Sequence, residues 1–234
     1  MARKPARYGH EDAASNGTKS ARTRQRILDA AAYVLSQRGY AGTRLSDVAE
    51  EAEVQAPAIY YYFHSREDLI EEVMWSGIAR LTEHVRAQLD ALPAQATAMD
   101  RIEVAVESQL RFELELSNYS TAAIRNGGQI PENIRVRFAA ELTKYLSVWR
   151  KLLQDAERDG ELRPGLDLRA ARMLVLGALS WAVEWWNPRR GSLDQVIRTA
   201  KTMVRAALST EIAETAPAAP RPARSRNTAA AAGS

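Results

Sequence analysis

The sequence predicts an all-α protein of about nine helices, with a short N-terminal domain and a longer C-terminal one. Apolar residues recur at three- and four-residue intervals along most of the 234-residue chain, which is the spacing of one helix face. No segment alternates apolar and polar residues as a half-buried strand would. Capping residues, Gly and Pro separate the periodic segments and set the expected boundaries.

The first three predicted helices are close together. The first runs from Ser20 to about Arg38 and is ended by Gly39. Thr43 is the predicted cap of a short second helix, and a turn at Glu53-Val54 leads to a third. Pro57 suits the first turn of that third helix, where no N–H is needed.

Six further helices are predicted in the rest of the chain. Their expected ranges are Ser65 to before Pro93, about Thr97 to Leu116, Ser120 to Asn126, Pro131 to Gly160, Asp167 to Asn187, and Ser192 to about Leu208. Ser65, Asp167 and Ser192 are expected to cap their helices. From about Ala213 the chain is rich in Ala, Pro, Arg, Ser and Thr, which predicts a disordered tail.

Composition restricts the class of protein. Hydrophobic residues make up 46% and charged residues 26%, as in ordinary globular proteins. The chain has no cysteine, which excludes disulfides, thiolate metal sites and cysteine nucleophiles and fits a reducing cytoplasm. No apolar run reaches the roughly 20 residues that span a bilayer, and the N-terminus lacks the apolar segment of a secretory signal.

Charge is distributed unevenly, although the net charge is only +3. Residues 1–26 carry seven basic and two acidic groups. A basic N-terminal end on a more acidic body suggests a polyanionic partner, and a solvated, disordered segment explains the same pattern. The arm containing Lys19, Arg22 and Arg24 is expected to be disordered, with nonspecific phosphate or minor-groove contacts as the alternative.

Residues 43–63 form a helix-turn-helix pattern with side chains that suit DNA. The small Ala49 lets the third helix approach the second, while Ile59 and Phe63 are expected to face inward. The three consecutive tyrosines at 60–62 then cannot all be buried. Because tyrosine hydroxyls suit phosphate oxygens and tyrosine rings suit thymine methyl groups, the pattern predicts binding to duplex DNA.

This stretch resembles the N-terminal domain of TetR-family transcriptional regulators. The matching residues, within about residues 20–70, are Gly39-Tyr40, Thr43, Asp47-Val48-Ala49, Ala52, Val54, Ile59-Tyr60, Tyr62-Phe63, Ser65, Glu67 and Leu69. The resemblance implies a DNA-binding domain at 20–66 and a ligand-binding and dimerisation domain at 67–212. A disordered basic arm at 1–19 and a disordered tail at 213–234 are expected to flank them.

The resemblance also implies which residues contact DNA. The expected set is Thr43, Arg44, Gln55, Ala56, Pro57, Tyr60, Tyr61, Tyr62 and Arg66. Thr43, Tyr60, Tyr62 and Arg66 match phosphate-contacting positions, and the others match base-facing ones. Two alternatives are a half-buried Tyr60 and an Arg66 that pairs with a helix-surface carboxylate. Glu53 stands where the family commonly has Gly, which costs roughly 1 kcal/mol if the position is left-handed.

The eighth and ninth predicted helices are apolar on more than one face. The run from Met173 to Trp186 has little polar surface, and a helix that is apolar nearly all round is covered on both sides. One side is expected to face the chain's own core and the other a second subunit, giving a four-helix interface. Such a homodimer would read a palindromic operator with recognition helices roughly 34–36 Å apart or more.

Aromatic residues in the second half predict an apolar ligand cavity between helices five, seven and eight, with core and interface packing as the alternative. The expected lining is Arg111, Phe112, Tyr119, Phe138, Tyr145, Trp149, Ser180, Trp181 and Trp185, with Asn118 and Arg125 as further polar candidates. Residues 160–167 and 181–188 also resemble TetR-family members that sense acyl-CoA thioesters in lipid or sterol breakdown. That resemblance makes Arg163, Arg189 and Arg190 candidate phosphate partners.

The resulting hypothesis is a dimeric repressor that a small apolar ligand, such as an acyl-CoA, releases from DNA by moving the fourth helix. A helical lipid carrier, an activator and an architectural DNA-binding protein without ligand-induced release are the alternatives. An enzyme is disfavoured, because none of the three histidines has a metal-ligand or nucleophile partner at useful spacing. No cofactor or metal is expected.

Overall fold

The computed structural model describes residues 11–116 and 118–210, and this part of the chain is all-α, as predicted. The helices there are α1 (Glu11–Gly42), α2 (Leu45–Glu51), α3 (Ala56–Tyr62), α4 (Arg66–Asp90), α5 (Ala98–Arg111), a π-helix (Phe112–Leu116), α6 (Asn118–Asn126), α7 (Glu132–Arg158), α8 (Leu168–Trp185) and α9 (Leu193–Leu208). None of these helices is long and apolar enough to cross a membrane. The predicted tail at 213–234 and residues 1–10 of the predicted arm lie outside the described residues.

The first helix begins earlier than predicted. α1 starts at Glu11 rather than Ser20, so the prediction of a disordered arm is wrong for residues 11–19. The Gly, Ser and Asn content of this segment was the reason that disorder was predicted. Gly39 interrupts α1 with a φ of 71°, which agrees with its prediction as a helix end, because this conformation favours glycine.

The second helix lacks the cap that was predicted for it. Arg44 is the N-cap residue of α2 and makes no side-chain capping bond. The buried Thr43 instead donates its hydroxyl to the Gly39 carbonyl over 2.8 Å. Thr43 therefore closes the end of α1 rather than opening α2. At the other end of α2, Glu53 has a φ of 51° and is left-handed.

Three other caps form with side-chain hydrogen bonds. Ser65 accepts a hydrogen bond from the Asp68 N–H over 3.0 Å at the start of α4. Thr97 and Asp100 form a reciprocal capping box at the start of α5, and Asp167 accepts from two N–H groups of α8. Ser192 is the N-cap residue of α9, as predicted, but its side chain makes no capping bond. The side chains of Ser65, Thr97 and Asp167 thus satisfy helix N–H groups that have no partner within the helix.

The predicted fifth helix is two elements in the structure. α5 ends at Arg111, and the chain continues as a π-helix from Phe112 to Leu116. A π-helical turn is a rare, wider turn that occurs frequently at functional sites. It falls in the region where the sequence predicts the ligand cavity.

The N-terminal three-helix domain contacts the rest of the chain where α1 packs against α4 and α6. α1 packs against α6 more extensively than against α4. Gly77 lets α4 and α6 approach closely, since a Cβ atom at this position would lie 2.7 Å from the Tyr119 carbonyl oxygen. The two domains therefore share a tightly packed junction rather than a linker.

Candidate functional site

The exposed face of α3 carries most of the residues that were predicted to contact DNA. Gln55, Ala56 and Pro57 at its start are exposed. Tyr60 is 58% and Tyr61 80% exposed, so the alternative of a half-buried Tyr60 is not observed. Ile59 on the opposite face is fully buried and holds the helix in place. Tyrosines left this exposed on a short helix are available to a partner.

The N-terminal part of α1 extends this face. Tyr62 is partly buried, its ring lies edge-on to Tyr61 at 4.9 Å, and its hydroxyl accepts a hydrogen bond from Ser20. Exposed Lys19 and Arg22 line one concave surface together with these two tyrosines. The basic residues that were predicted for a disordered arm thus stand on a helix beside α3.

Arg66 occupies a different position from the one expected of a phosphate contact. Its Nε donates to the Thr43 carbonyl over 2.8 Å, and another nitrogen donates to the Tyr40 carbonyl. The guanidinium also lies over the Tyr40 ring, 4.4 Å from its centroid, and pairs with Glu67 over 3.0 Å. Both groups hold the α1–α2 connection against α4 in this structure, and their phosphate roles stay predictions. The alternative in which Arg66 pairs with a carboxylate is observed.

Arg24 is likewise committed within the fold. It pairs with Glu72 of α4 over 2.6 Å and lies 4.9 Å from the Phe63 ring centroid. By contrast, Arg44 is exposed and forms no ion pair among the described residues. Exposed or partly exposed residues of this region include Lys19, Arg22, Arg44, Gln55, Ala56, Pro57, Tyr60, Tyr61 and Tyr62.

A chain of buried hydrogen bonds occupies the predicted ligand region between α5, α7 and α8. The Trp149 indole N–H donates to the Tyr145 hydroxyl over 3.0 Å. That hydroxyl donates to the side-chain amide oxygen of Gln109 over 2.6 Å. The Gln109 amide nitrogen donates to Glu113 over 3.0 Å and to Ser180 over 3.4 Å. The structure thus brings together Tyr145, Trp149 and Ser180, as predicted, around two polar residues that were not.

Glu113 is the unusual member of this buried polar chain. It lies in the π-helix, is only 4% exposed, and its Oε2 has no hydrogen-bond partner. Burial raises the pKa of its carboxyl to about 8, and hydrogen bonding with Gln109 and Ser180 opposes that rise only in part. Glu113 is therefore mostly protonated at neutral pH and can donate a hydrogen bond. Burial, followed by the proximity of Glu113, also raises the pKa of Tyr145.

Several predicted ligand residues lie elsewhere. Arg111 forms surface ion pairs with Glu107 and Asp194 that tie α5 to α9. The Tyr119 hydroxyl donates to Asp29 of α1 over 2.7 Å, which places it in the domain junction. Phe112 packs beside His84, and Phe138 packs against Gly127 at the end of α6. Of these four, only Phe112 adjoins the buried polar chain, through its neighbour Glu113.

Trp181 and Trp185 were also predicted to line the ligand cavity, but they face outward. They are 64% and 54% exposed and belong to an apolar face that also includes Met173, Leu174 and Met203. Beside them, α8 and α9 form an open apolar groove of about 680 Å³, lined in part by Leu174, Trp185, Arg190 and Met203. Exposed apolar faces of this extent mark interaction surfaces.

The candidate phosphate partners also differ from expectation. Arg163 donates to the carbonyls of Ser209 and Ala206 at the end of α9, over 2.9 and 2.8 Å. These bonds satisfy carbonyls at the helix C-terminus. Arg189 and Arg190 are exposed, and Arg190 lines the α8–α9 groove.

α6 connects the outward-facing helix α8 to the DNA-binding domain. Arg125 donates to Glu184 of α8 over 2.7 Å and to the Ser36 carbonyl of α1 over 2.9 Å. The Asn126 side chain accepts from the Tyr40 N–H over 2.7 Å and donates to the Leu35 carbonyl over 3.3 Å. α6 therefore connects α8 directly to the DNA-binding domain, in addition to the contacts that Arg66 of α4 makes with Tyr40 and Thr43.

Comparison with known families identifies the chain. The model of the bacterial regulatory proteins of the tetR family matches residues 27–73, and that of the tetracyclin repressor-like C-terminal domain matches residues 95–209. The chain belongs to the TetR family. It is accordingly a TetR-type transcriptional repressor with a helix-turn-helix domain and not an enzyme.

Curated relatives include a regulator of fatty acid metabolism and a transcriptional repressor. The fatty acid metabolism regulator protein of Bacillus subtilis (strain 168) is 27% identical over 166 residues, covering 68% of this chain and 81% of that protein. The transcriptional repressor KstR2 of Rhodococcus jostii (strain RHA1) is 25% identical over 169 residues, covering 70% of this chain and 80% of that protein.

Solved structures share the fold. AibR, solved in complex with isovaleryl coenzyme A and operator DNA, is 20% identical with a TM-score of 0.71, covering 79% of this chain and 99% of that one. FadR from Bacillus subtilis, solved with stearoyl-CoA, is 22% identical with a TM-score of 0.65, covering 78% and 97%. KstR2 of Mycobacterium tuberculosis is 19% identical with a TM-score of 0.69, covering 80% and 95%.

Proposed function

We propose that this TetR-type repressor binds a palindromic operator as a homodimer and is released by an acyl-CoA thioester. The observation that carries the proposal is the division of its surface into an exposed tyrosine-bearing face on α3 and an exposed apolar face on α8 and α9. The first suits DNA and the second suits another copy of the chain. The buried polar chain between them is the proposed effector site.

The dimer is proposed from the apolar face. Met173, Leu174 and Trp181 on α8 and Met203 on α9 each expose half or more of their surface. In a two-fold dimer the same face of a second copy covers these side chains and fills the α8–α9 groove. This arrangement explains why a helix on the outside of the chain is so rich in large apolar residues.

DNA recognition is proposed for the exposed start and outer face of α3. Gln55 can bond base edges, and the methyl of Ala56 and the ring of Tyr61 can contact thymine methyl groups. Tyr60, with Lys19 and Arg22 of α1, is placed for phosphate contacts. Arg66 supports this face indirectly, because its bonds to the Thr43 and Tyr40 carbonyls fix the α1–α2 connection.

The effector site is proposed at the buried polar chain. Most ligand pockets are apolar with a few placed polar groups, and the side chains around Glu113 have that composition. A protonated Glu113 can donate to a carbonyl oxygen such as that of a thioester, and its unpartnered Oε2 is the free position in the chain. An acyl group entering here would separate α7 and α8 from α5. The acyl-CoA class is taken from the ligands of AibR and FadR.

The transmission step is proposed for α6 together with α4. Movement of α8 acts on Arg125 through Glu184, and Arg125 and Asn126 bond directly to α1 and Tyr40. A shift of α6 therefore changes the position of the DNA-binding domain. A coupling free energy of about 1–3 kcal/mol, or roughly 5- to 150-fold in affinity, is sufficient for such a switch.

The experiment that tests DNA recognition is a fluorescence anisotropy titration of the full chain against duplexes from the DNA flanking its own gene. A scrambled duplex of the same composition is the control. We expect one palindromic sequence to bind two chains, with affinity falling steeply as salt is raised, because several phosphates are neutralised per chain. Equal affinity for the scrambled duplex would overturn the operator proposal and favour an architectural protein.

A further inference from the structure

A polar pocket lies between α7 and α8, beside the buried polar chain. It has a volume of about 330 Å³ and is lined by Arg150, Leu153, Gln154, Leu168, Arg169 and Arg172. Three of these six residues are arginines, contributed by two helices, and no carboxylate is among the described residues that line the pocket. The pocket therefore gathers positive charge on a concave surface.

The three guanidinium groups have no counter-charge in the described part of the chain. Arg150, Arg169 and Arg172 form no ion pair with any carboxylate there. The nearest acidic residues in sequence are occupied, since Asp155 pairs with Lys151 and Arg158, and Asp167 caps α8. Because like charges that are held together repel each other, an anion that enters the pocket relieves an unfavourable interaction.

Arg172 provides an independent indication of a ligand. It is only 9% exposed, and among the described residues it donates a hydrogen bond to the Leu146 carbonyl over 3.3 Å. Its buried Nε–H has no hydrogen-bond partner. A buried donor without a partner is costly and uncommon in folded proteins. A guanidinium has five N–H donors, so Arg172 retains donors for an anion in the pocket that it lines.

The position of the pocket excludes the operator backbone as its anion. Arg172 precedes Glu184 by twelve residues on α8, which corresponds to about 18 Å along the helix. Glu184 is at the end of α8 that contacts Arg125 and, through it, α1. The pocket is thus at the end of α8 that points away from the DNA-binding domain.

We propose that Arg150, Arg169 and Arg172 form a binding site for the phosphate group of a small phosphorylated ligand. Guanidinium forks match phosphate oxygens through paired, charge-assisted hydrogen bonds. The site also adjoins the buried polar chain, since the carbonyl that Arg172 contacts belongs to Leu146, the neighbour of Tyr145. The assignment of this phosphate to the nucleotide part of an acyl-CoA rests on the proposed function, whereas the anion site does not.

Calorimetric titration of the full chain with inorganic pyrophosphate, and separately with coenzyme A, tests the site. The variant is R150Q/R169Q, which leaves the buried Arg172 in place. The matched control is R86Q/R198Q, which removes two exposed arginines of α4 and α9 and changes the net charge equally. We expect wild type and control to bind both probes, and R150Q/R169Q to bind each at least about tenfold more weakly.

The outcomes separate the two possible sources of the phosphate. Weaker binding of pyrophosphate alone supports the anion site and assigns it to a free phosphate compound. Weaker binding of both probes supports the site and the assignment of its phosphate to the nucleotide part of an acyl-CoA. Equal binding by R150Q/R169Q and wild type, or binding of neither probe by wild type, overturns the inference.

A second measurement separates this inference from the proposed function. Release of operator DNA by palmitoyl-CoA is compared between wild type and R150Q/R169Q, whose unliganded operator affinity we expect to be unchanged. Equal release from both chains contradicts the assignment of the phosphate to an acyl-CoA, while the repressor proposal stands. If no acyl-CoA releases wild type but the pyrophosphate titrations differ between variants, the acyl-CoA proposal fails and the anion site stands.

Discussion

The guanidinium of Arg125 on α6 donates a hydrogen bond to the Glu184 carboxylate on α8 over 2.7 Å. The same guanidinium donates to the Ser36 carbonyl near the end of α1 over 2.9 Å. One side chain thus joins the helix that carries the exposed apolar face to the helix that begins the DNA-binding domain. Because each contact lies on a different helix, we propose that a displacement of α8 reaches α1 through Arg125.

We expect Glu184→Gln to weaken the response of DNA binding to effector more than DNA binding itself. The substitution removes the charge from a half-exposed pair, so little stability is lost. Substitutions along a coupling route change coupling by about 0.5–2 kcal/mol, or roughly 2- to 30-fold. Operator titrations with and without palmitoyl-CoA measure the effect, and Lys144→Gln, which breaks a surface pair within α7, is the control. A Glu184→Gln chain that is released as readily as wild type would show that coupling takes another route.

Substitutions at Tyr61 and Arg66 are expected to change different properties, operator affinity for Tyr61 and folding stability for Arg66. Tyr61→Ala removes a side chain that is 80% exposed and should weaken operator binding about tenfold or more without changing the Tm. Arg66→Gln leaves the Thr43 and Tyr40 carbonyls without their donor and should cost about 1–3 kcal/mol of stability. Thermal unfolding and operator titration of both variants separate these effects. A normal Tm for Arg66→Gln with lost DNA binding would support the phosphate role.

The buried Glu113 predicts a particular dependence of stability on pH. Its pKa is about 8 in the folded chain against an ordinary value of 4.5, so the folded state favours the protonated form. The stabilisation is complete below about pH 4.5 and is lost as the pH rises toward 8, by an amount of order a few kcal/mol. Glu113→Gln keeps the neutral form and should flatten the dependence over this window.

Denaturant unfolding of Glu113→Gln and wild type at pH 5, 6.5 and 8 measures this change. Glu83→Gln on α4, where the residue is exposed, is the matched control and should follow wild type. If wild type and Glu113→Gln lose the same stability between pH 5 and pH 8, then Glu113 is not protonated in the folded chain.

Leu174 is expected to be central to the dimer. It is 74% exposed on α8 beside Trp181, and an arginine there places a charge in the centre of an apolar interface. Leu174→Arg should shift the chain toward monomer in sedimentation experiments and reduce operator affinity, because two linked recognition helices become one. Val136→Arg on α7, where the residue is 67% exposed, is the control. A dimeric Leu174→Arg chain would place the interface elsewhere.

The helix boundaries and caps were largely predictable because their signals are local. Ser65 and Asp167 bond to N–H groups two or three residues away, so the sequence around them contains the whole interaction. Thr43 and Arg66 depend on residues four and 23 or more positions away. A family position matched them to DNA contacts, but the tertiary contacts that direct them inward are not visible in the sequence pattern.

Three residues predicted for the effector region converge in the structure, and two polar residues beside them were not predicted. Tyr145, Trp149 and Ser180 do converge, because the apolar stripes of α7 and α8 meet α5 there. Gln109 and Glu113 were not predicted. Gln109 lies seven residues after Ile102, and Glu113 lies seven residues after Val106, on the apolar face of α5 and its π-helical continuation. Polar residues on an otherwise apolar face were the available signal. Trp181 and Trp185 were assigned to the cavity because hydrophobicity alone does not distinguish an inner face from a dimer face.

The most direct test of ligand release is an anisotropy titration of acyl-CoA thioesters of increasing chain length into the preformed complex of the full chain with its operator. We expect one length class to release the DNA at concentrations where coenzyme A alone does not, and Glu113→Gln to change the concentration range over which release occurs. A complex that no acyl-CoA dissociates, with operator specificity intact, would contradict the acyl-CoA effector and the role assigned to the buried polar chain.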